Sequence, residues 1–380
     1  MQVLPMRKPS RLLVTLLAVW LCLCGVARAQ GADNSLRIWY SLPERYAGQF
    51  QQLLAQYQQS HPTVAVEGRN FPSMEALHSA LVNGDNLPHI ALIDSTWQDE
   101  LIKQGHLVQA EEMMARISDM CRITLKADTF PCMFDAVVRD TKVWTTPAFA
   151  ISHALLYDKD ALTSAGFKAP PHRWADIVLM GPRLTQVSGM WAFSFPTGTS
   201  SQEMGRLLEI FSWQVCPRGV DTQGVDNPQA NRALQYWVDL INKYKITPPG
   251  GFADRTKSVM FVGTTEDLFD GQSGGRHLEA APMPSLLQPA SDISVFTMAQ
   301  FNVDPQKADR TFQAIEWLTD FQQMLTFATS TPYIPANKQI TLSPGYFQYM
   351  GAHSGLKTFV MQLPCARVDH PHPAHIDEII

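Results

Sequence analysis

The sequence predicts an α/β fold, built on a parallel sheet and divided into two domains. Three observations lead there. Strand-like and helix-like segments alternate from residue 36 onward, the pattern of βαβ units. The chain has 380 residues, more than one core usually organises. It is 45% hydrophobic and 17% charged, an ordinary globular balance that can fill such cores.

Each element has its own signal. "LRIWYSL" reads as a first buried strand, with Leu36 and Ile38 inward. A helix follows from about Glu44, because Tyr46, Phe50, Leu53/Leu54 and Tyr57 recur at three- and four-residue steps. "HPTVAVEG" is a second strand after the His61-Pro62 break. Ser73 can cap the helix "MEALHSALVNG", whose Met74, Leu77 and Leu81 share a face and whose stop lies near Gly84. "HIALI" is a third strand, and "WQDELIKQGHLVQ" a helix ending at Gly105. Further helices are expected around 202–213 and 231–244. "KSVMFVGTTEDL" reads as a strand running into a loop, and "AAPMPSLLQPAS", with three prolines, as a linker. "ADRTFQAIEWLTDFQQMLTF" reads as one amphipathic helix with Phe312, Ile315, Leu318/Thr319 and Phe321 on one side. No internal repeat or low-complexity tract occurs.

The first 29 residues stand apart. Arg7, Lys8 and Arg11 form a basic head, "LLVTLLAVWLCLCGV" an apolar run, and Ala27-Arg28-Ala29 an A-x-A site, which together predict a signal peptide cleaved before Gln30. The run is short for a membrane span of roughly 20 residues. Cys22 and Cys24 each follow Leu, where a lipid-anchor signal wants a small residue. Cleavage removes four cations and no acid, so the formal charge of −5 becomes −9. Such an acidic body is a poor nonspecific partner for nucleic acid. The expectation is a periplasmic monomer with no cofactor.

Four cysteines remain after cleavage: Cys121, Cys132, Cys216 and Cys365. An exported protein can oxidise them, and four allow three connectivities. The short loop favours Cys121–Cys132, which leaves Cys216–Cys365; free buried thiols are the alternative. No C-x-x-C pair is present to favour zinc.

A family resemblance emerges at "ALLYDKDALTSAGFKAPPHRWADI". Its Tyr157-Asp158-Lys159-Asp160, Ala165-Gly166-Phe167, Pro170-Pro171 and Trp174 resemble a motif of the extracellular solute-binding proteins of ABC importers, in the cluster that includes maltose- and glycerol-3-phosphate-binding proteins. Asp158 stands where Asn is more usual. "IWYSL", "FQQLLAQYQQSHPTVAVE", "LVNGDNLPHIALI", "VMFVGTTEDL", "AIEWLTDF" and "STPYIPANK" follow in family order, over nearly the whole mature chain. The resemblance implies a two-lobe periplasmic-binding-protein fold of type II, with ligand held between lobes that close about a hinge. It implies crossovers near Pro147, Pro284 and Pro332–Pro335. The lobes would be 30–146 with 284–330, and 147–283 with 331–380. It also implies a small sugar or glycerol-phosphate-like ligand and a membrane permease as partners.

Ligands of open α/β sheets bind at the carboxyl ends of strands. Trp39, Tyr40 and Ser41 follow the first strand, and Asp94 and Ser95 the third. Aromatic faces suit sugar C–H surfaces, while hydroxyls and carboxylates read their OH groups. By resemblance, Phe71, Ser152, the Gly263-Thr264-Thr265 loop and Tyr333 join the ligand site. Phe71 stands where glycerol-3-phosphate binders tend to carry Tyr, and Ser95 where they tend to carry Glu. Lys357, in "HSGLKTF", stands where they place an Arg, and a solvated surface lysine is its plainer reading.

Two motifs point elsewhere. Gly271-Gln272-Ser273-Gly274-Gly275 fits the G-x-S-x-G elbow of serine hydrolases, which needs a strand directly before it and a helix directly after. "TTEDLFD" shows no strand alternation, so an exported hydrolase using Ser273 is the minor alternative, beside a sensor that kept the fold without transport. His370, His372 and His375 could form a metal tract, but their prolines and terminal position favour an exposed tail.

Overall fold

A computed structural model describes residues 34–118, 120–196, 209–214, 228–273 and 275–368. The expected signal segment, Cys216 and the three tail histidines lie outside the described residues. So does part of the helix expected around 202–213, of which 209–214 are helical.

The strands are β1 (Ser35–Tyr40), β2 (Ala65–Asn70), β3 (Ile90–Asp94), β4 (Val138–Arg139), β5 (Lys142–Val143), β6 (Thr146–Ile151), β7 (His153–Asp158), β8 (Trp191–Pro196), β9 (Phe252–Ala253), β10 (Ser258–Thr264), β11 (Leu278–Ala281), β12 (Ser291–Gln300), β13 (Ile334–Pro335) and β14 (Ala366–Val368). They form a 7-stranded sheet in the order β13-β6-β12-β3-β1-β2, with β14 on β12, and a 5-stranded sheet in the order β11-β7-β10-β8-β9. β4 and β5 form a hairpin of their own.

The early βα units fold as expected, with β1 parallel to both β2 and β3. The sheet is nonetheless mixed. β12 inserts antiparallel between β3 and β6, because it returns directly from the other sheet rather than through a crossover helix. All ten of its residues are buried, including Ser291, Asp292, Ser294, Thr297 and Gln300. A strand covered on both faces shows no two-residue alternation, so its sequence carries no strand signal.

The two sheets have separate cores. In the larger lobe Leu36, Ile38 and Tyr40 of β1 meet Phe50, Leu53 and Tyr57 of the helix Glu44–Ser60 and Ile315 and Leu318 of the helix Ala308–Thr319. Each such side chain contributes about 1.5–3 kcal/mol on burial. In the smaller lobe Trp174 opens the helix Trp174–Ser188, is fully buried, and stacks on Phe211 at 4.4 Å. Its indole donates to Gln214 at 2.9 Å, and Gln214 donates to the Pro284 carbonyl at 2.8 Å, tying this core to the expected linker. Asp158 caps the helix Lys159–Ser164 through the Ala161 amide at 3.0 Å, a task Asp and Asn do equally well.

Three expectations change. The long amphipathic helix is two, Ala308–Thr319 and Phe321–Ala328. Asp320 leaves helical geometry between them and accepts from the Gln322 amide, capping the second helix. Phe321 is thereby turned off the buried face and is 36% exposed. The larger sheet also takes in 147–151 and 334–335, which the sequence-based limits place in the second lobe. Finally, Cys121 and Cys132 are free thiols, so the expected Cys121–Cys132 bridge is not formed. They sit on successive helices, Met120–Asp128 and Pro131–Asp135, and pack against different apolar clusters. The pairing Cys216–Cys365 falls with Cys216 outside the described residues.

The chain crosses between sheets at Ser152, the single residue between β6 and β7, and again between β11 and β12. At the crossing, buried Asp292 accepts from the His153 amide at 3.2 Å and pairs with His153 Nδ1 at 2.8 Å. The Ser152 hydroxyl donates to the Asp292 carbonyl at 2.8 Å, and Gln362 donates to the His153 carbonyl at 3.0 Å.

Candidate functional site

A cleft of about 890 Å³ lies between the lobes, within the range of small-molecule sites. Three helices begin at it: Glu44–Ser60, Met74–Asn83 and Thr265–Ser273. The loops that feed the first two follow β1 and β2, the carboxyl-end placement expected of ligand loops. Asn70 clamps these loops together. Its carbonyl accepts from the Leu42 amide at 2.9 Å and its amide donates to the Leu42 carbonyl at 3.0 Å. Ser41 donates to the Phe71 carbonyl at 3.2 Å, and Ser73 caps its helix through the Ala76 amide at 3.1 Å.

The smaller lobe contributes Glu266, in the first turn after β10. Its carboxylate accepts a 2.6 Å hydrogen bond from the Tyr333 hydroxyl of the larger lobe. Burial raises the Glu266 carboxyl above its ordinary range, while the Tyr333 bond and the Arg45 charge pull it back. The Tyr333 phenol is pushed well up by burial and by that carboxylate. A second link, between Arg45 and Asp270, spans the same mouth. The apolar side of the cleft is made by Phe71, Ile151, Phe296 and the Tyr333 ring, which stacks on Phe149 at 4.6 Å.

Of the residues singled out in the sequence, Ser41, Phe71 and Tyr333 line this cleft. Tyr40 does not: it is fully buried 4.6 Å from Phe50, on the core side of β1. Trp39 points to the opposite face, 5.1 Å from Phe71, with the Arg69 guanidinium over its ring. Asp94 accepts from the amide and hydroxyl of Thr96, shaping the turn after β3, and Ser95 is buried beneath it. Ser152 is at the crossing. Gly263 is tightly packed: a Cβ there would meet Leu156 Cδ1 at 2.8 Å. Thr264 donates from its amide to Asp267 at 2.9 Å, and Thr265 is fully buried. Lys357 is exposed on the helix Leu356–Gln362, away from the cleft lining. Ser273 is the last residue of the helix Thr265–Ser273, and no strand feeds it directly, so the elbow geometry is missing there.

The sequence reading missed Glu266, Asn70, Gln51 and Glu44. Glu266 had a signal, since it directly follows the Gly263-Thr264-Thr265 loop. A carboxylate in a first helical turn, however, reads as an ordinary partner of the helix dipole.

The same architecture occurs in solved solute receptors. The maltose-bound MalE3 of T. maritima superposes with a TM-score of 0.75 at 18% identity, with 91% of each chain covered. UgpB from Mycobacterium tuberculosis, in complex with glycerophosphocholine, gives 0.77 at 17% identity, covering 90% of this chain and 88% of that one. The cyclic alpha-maltosyl-1,6-maltose binding protein from Arthrobacter globiformis gives 0.76 at 18%, covering 90% of each. These likenesses establish a two-lobe fold. The family model of the bacterial extracellular solute-binding proteins matches residues 49–351, a stretch that holds both crossings and the cleft residues from Gln51 to Tyr333. The chain therefore belongs to the bacterial extracellular solute-binding proteins.

Proposed function

We propose that the protein is the substrate-binding component of an ABC importer, which captures a neutral polyhydroxylated solute, a sugar or polyol, by closing its lobes and presents it to a membrane permease. It acts as an exported, periplasmic monomer. The observation that carries the ligand class is the cleft lining. Ser41, Gln51, Asn70 and Ser73 offer neutral hydrogen-bonding groups, Glu44 and Glu266 offer carboxylates, and aromatic rings supply a face for C–H surfaces.

No Lys or Arg is among the described lining residues, and Lys357 lies elsewhere. The helix N-termini at the cleft, which would otherwise attract an anion, already have Glu44, Glu75 and Glu266 in their first turns. A phosphate would meet carboxylates rather than cations, which favours a neutral sugar over a glycerol phosphate. The relatives bound to maltose and to glycerophosphocholine bracket these two choices.

The test is a thermal-shift and calorimetric screen of mono- and disaccharides, polyols, glycerol-3-phosphate and glycerophosphodiesters. A true ligand at about a hundredfold excess over its dissociation constant stabilises the folded state by about 2.7 kcal/mol. A neutral sugar or polyol is expected to give this shift and be recovered unchanged. A shift confined to phosphates overturns the ligand class, and consumption of the ligand overturns the binding role.

A further inference from the structure

A second cavity, of about 510 Å³, opens in the larger lobe and shares no lining residue with the cleft. It lies where the helices Ala110–Ile117 and Met120–Asp128 meet Ala308–Thr319 and Phe321–Ala328. Its floor is apolar: Met114, Phe312 and Met324 are each 4% exposed or less. One polar group on that floor is unserved. Thr146 is 6% exposed, and its hydroxyl has no hydrogen-bond partner. A buried unpaired hydroxyl is costly unless something else binds it.

Thr124, Thr129, Thr319, Asn337 and Gln339 add neutral polar groups, and the charged lining is wholly acidic. Asp128, Glu316 and Asp320 border the cavity, and no Lys or Arg does among the described residues. Asp320 is occupied by the Gln322 amide, and Asp128 takes a 3.4 Å bond from Gln339. Burial alone raises the Glu316 carboxyl, so this acid is partly desolvated without a compensating charge.

We propose that this cavity is a second ligand site, for a small organic cation carrying an ammonium group on an apolar or aromatic body. The body packs on Phe312, Met114 and Met324, where thioethers make favourable contacts with an aromatic body and the Phe312 ring can attract a nearby cation. The ammonium pairs with Glu316 and donates to the Thr146 hydroxyl. Three carboxylates disfavour an anion, and the apolar floor disfavours a sugar.

The probe is 2-phenylethylammonium, compared with 2-phenylethanol and phenylacetate, which share its shape and differ in charge. Calorimetry on the full chain measures binding. Alkylation of Cys121, whose thiol lines the cavity, reports occupancy by peptide mass spectrometry, with Cys132 as internal control. The ammonium is expected to bind about tenfold or more tighter than the alcohol, as one charge-assisted bond implies, and phenylacetate weakest. Saturating ammonium should slow alkylation at Cys121 and leave Cys132 unchanged. Glu316→Gln should remove the preference for the ammonium, and Thr146→Val should weaken it. If either variant fails to fold, the three-probe series on the native chain decides alone. Equal binding of all three probes, absence of binding, or an unprotected Cys121 at saturation would each overturn the proposal.

Discussion

The Tyr333 hydroxyl reaches across the cleft to Glu266 at 2.6 Å, joining the segment before β13 in the larger sheet to the helix that follows β10 in the smaller one. Ring packing fixes the donor, since Tyr333 stacks on Phe149 at 4.6 Å and on Phe327 at 5.8 Å. Tyr333→Phe keeps those rings and deletes one bond to a carboxyl group, which should cost about 1.5–3 kcal/mol of stability. Chemical denaturation of the single variants and of the double variant with Glu266→Ala, which removes the acceptor, isolates the pair. Additive losses would show that the two residues do not interact.

Glu266 should also give the protein a recognisable pH response. Its carboxyl is raised by burial, so the folded chain holds that proton more tightly than the unfolded chain does. The stability it confers is complete below the ordinary glutamate value and is lost as pH rises through the raised folded value. Glu266→Gln cannot ionise, so it should flatten that stretch of the Tm–pH curve. An unchanged slope would assign the response to another group.

Gly263 is expected to tolerate no side chain. The Cβ of Gly263→Ala would sit 2.8 Å from Leu156 Cδ1 and 3.0 Å from Asp267 Oδ2, in the interior of the smaller sheet. Overpacking of this kind costs about 1–3 kcal/mol. Thermal unfolding measures it, and a variant as stable as the parent would show that Leu156 can move aside.

Asp292→Ala should be the most damaging change at the crossing. It strips the buried carboxylate that His153 uses through both its amide and its ring. Breaking one side of a buried pair costs roughly 3–5 kcal/mol. Denaturant titration reads the loss, and a penalty below about 1 kcal/mol would mean that water replaces the carboxylate.

The thiol assignment is open to direct chemistry. Unfolded without reductant, the protein should yield both Cys121 and Cys132 as alkylated peptides. In the folded state at pH 8, Cys132 should react slowly, because burial pushes its thiol up to about 11 and leaves little thiolate. Recovery of a peptide joining Cys121 to Cys132 would restore the bridge that the sequence favoured.

What could be read from the sequence depended on periodicity. Phe50, Leu53 and Tyr57 announced their helix because only one of its faces is buried. β12 is buried on both faces and offered no such contrast. The same physics explains the site. Successive strand residues point to opposite faces, so Trp39 and Tyr40 could not both serve one cleft. Tyr40 fills the core, and the loop that begins at Ser41 supplies the cleft. Asp320 had the residue type of a cap, but apolar spacing on both sides of it masked the break between helices.

The one-residue join at Ser152 limits how the halves can travel. Sliding the smaller sheet past the larger would break the Ser152 bond to the Asp292 carbonyl and the His153 bonds to its carboxylate together. Turning about the local backbone torsions can preserve them. A relative motion that kept these bonds would be a swing with its axis near Ser152 and Asp292, in which displacement grows with distance from that axis. Ile151, beside the axis, is a fixed floor. Glu266 stands two residues beyond Thr264, the end of β10 that pairs with His153, and it is bonded to Tyr333 of the larger lobe, so it too lies close to that axis. Opening the lobes about this axis therefore requires the Tyr333–Glu266 and Arg45–Asp270 contacts to part, which makes those two pairs latches on a join that the backbone itself leaves free to turn.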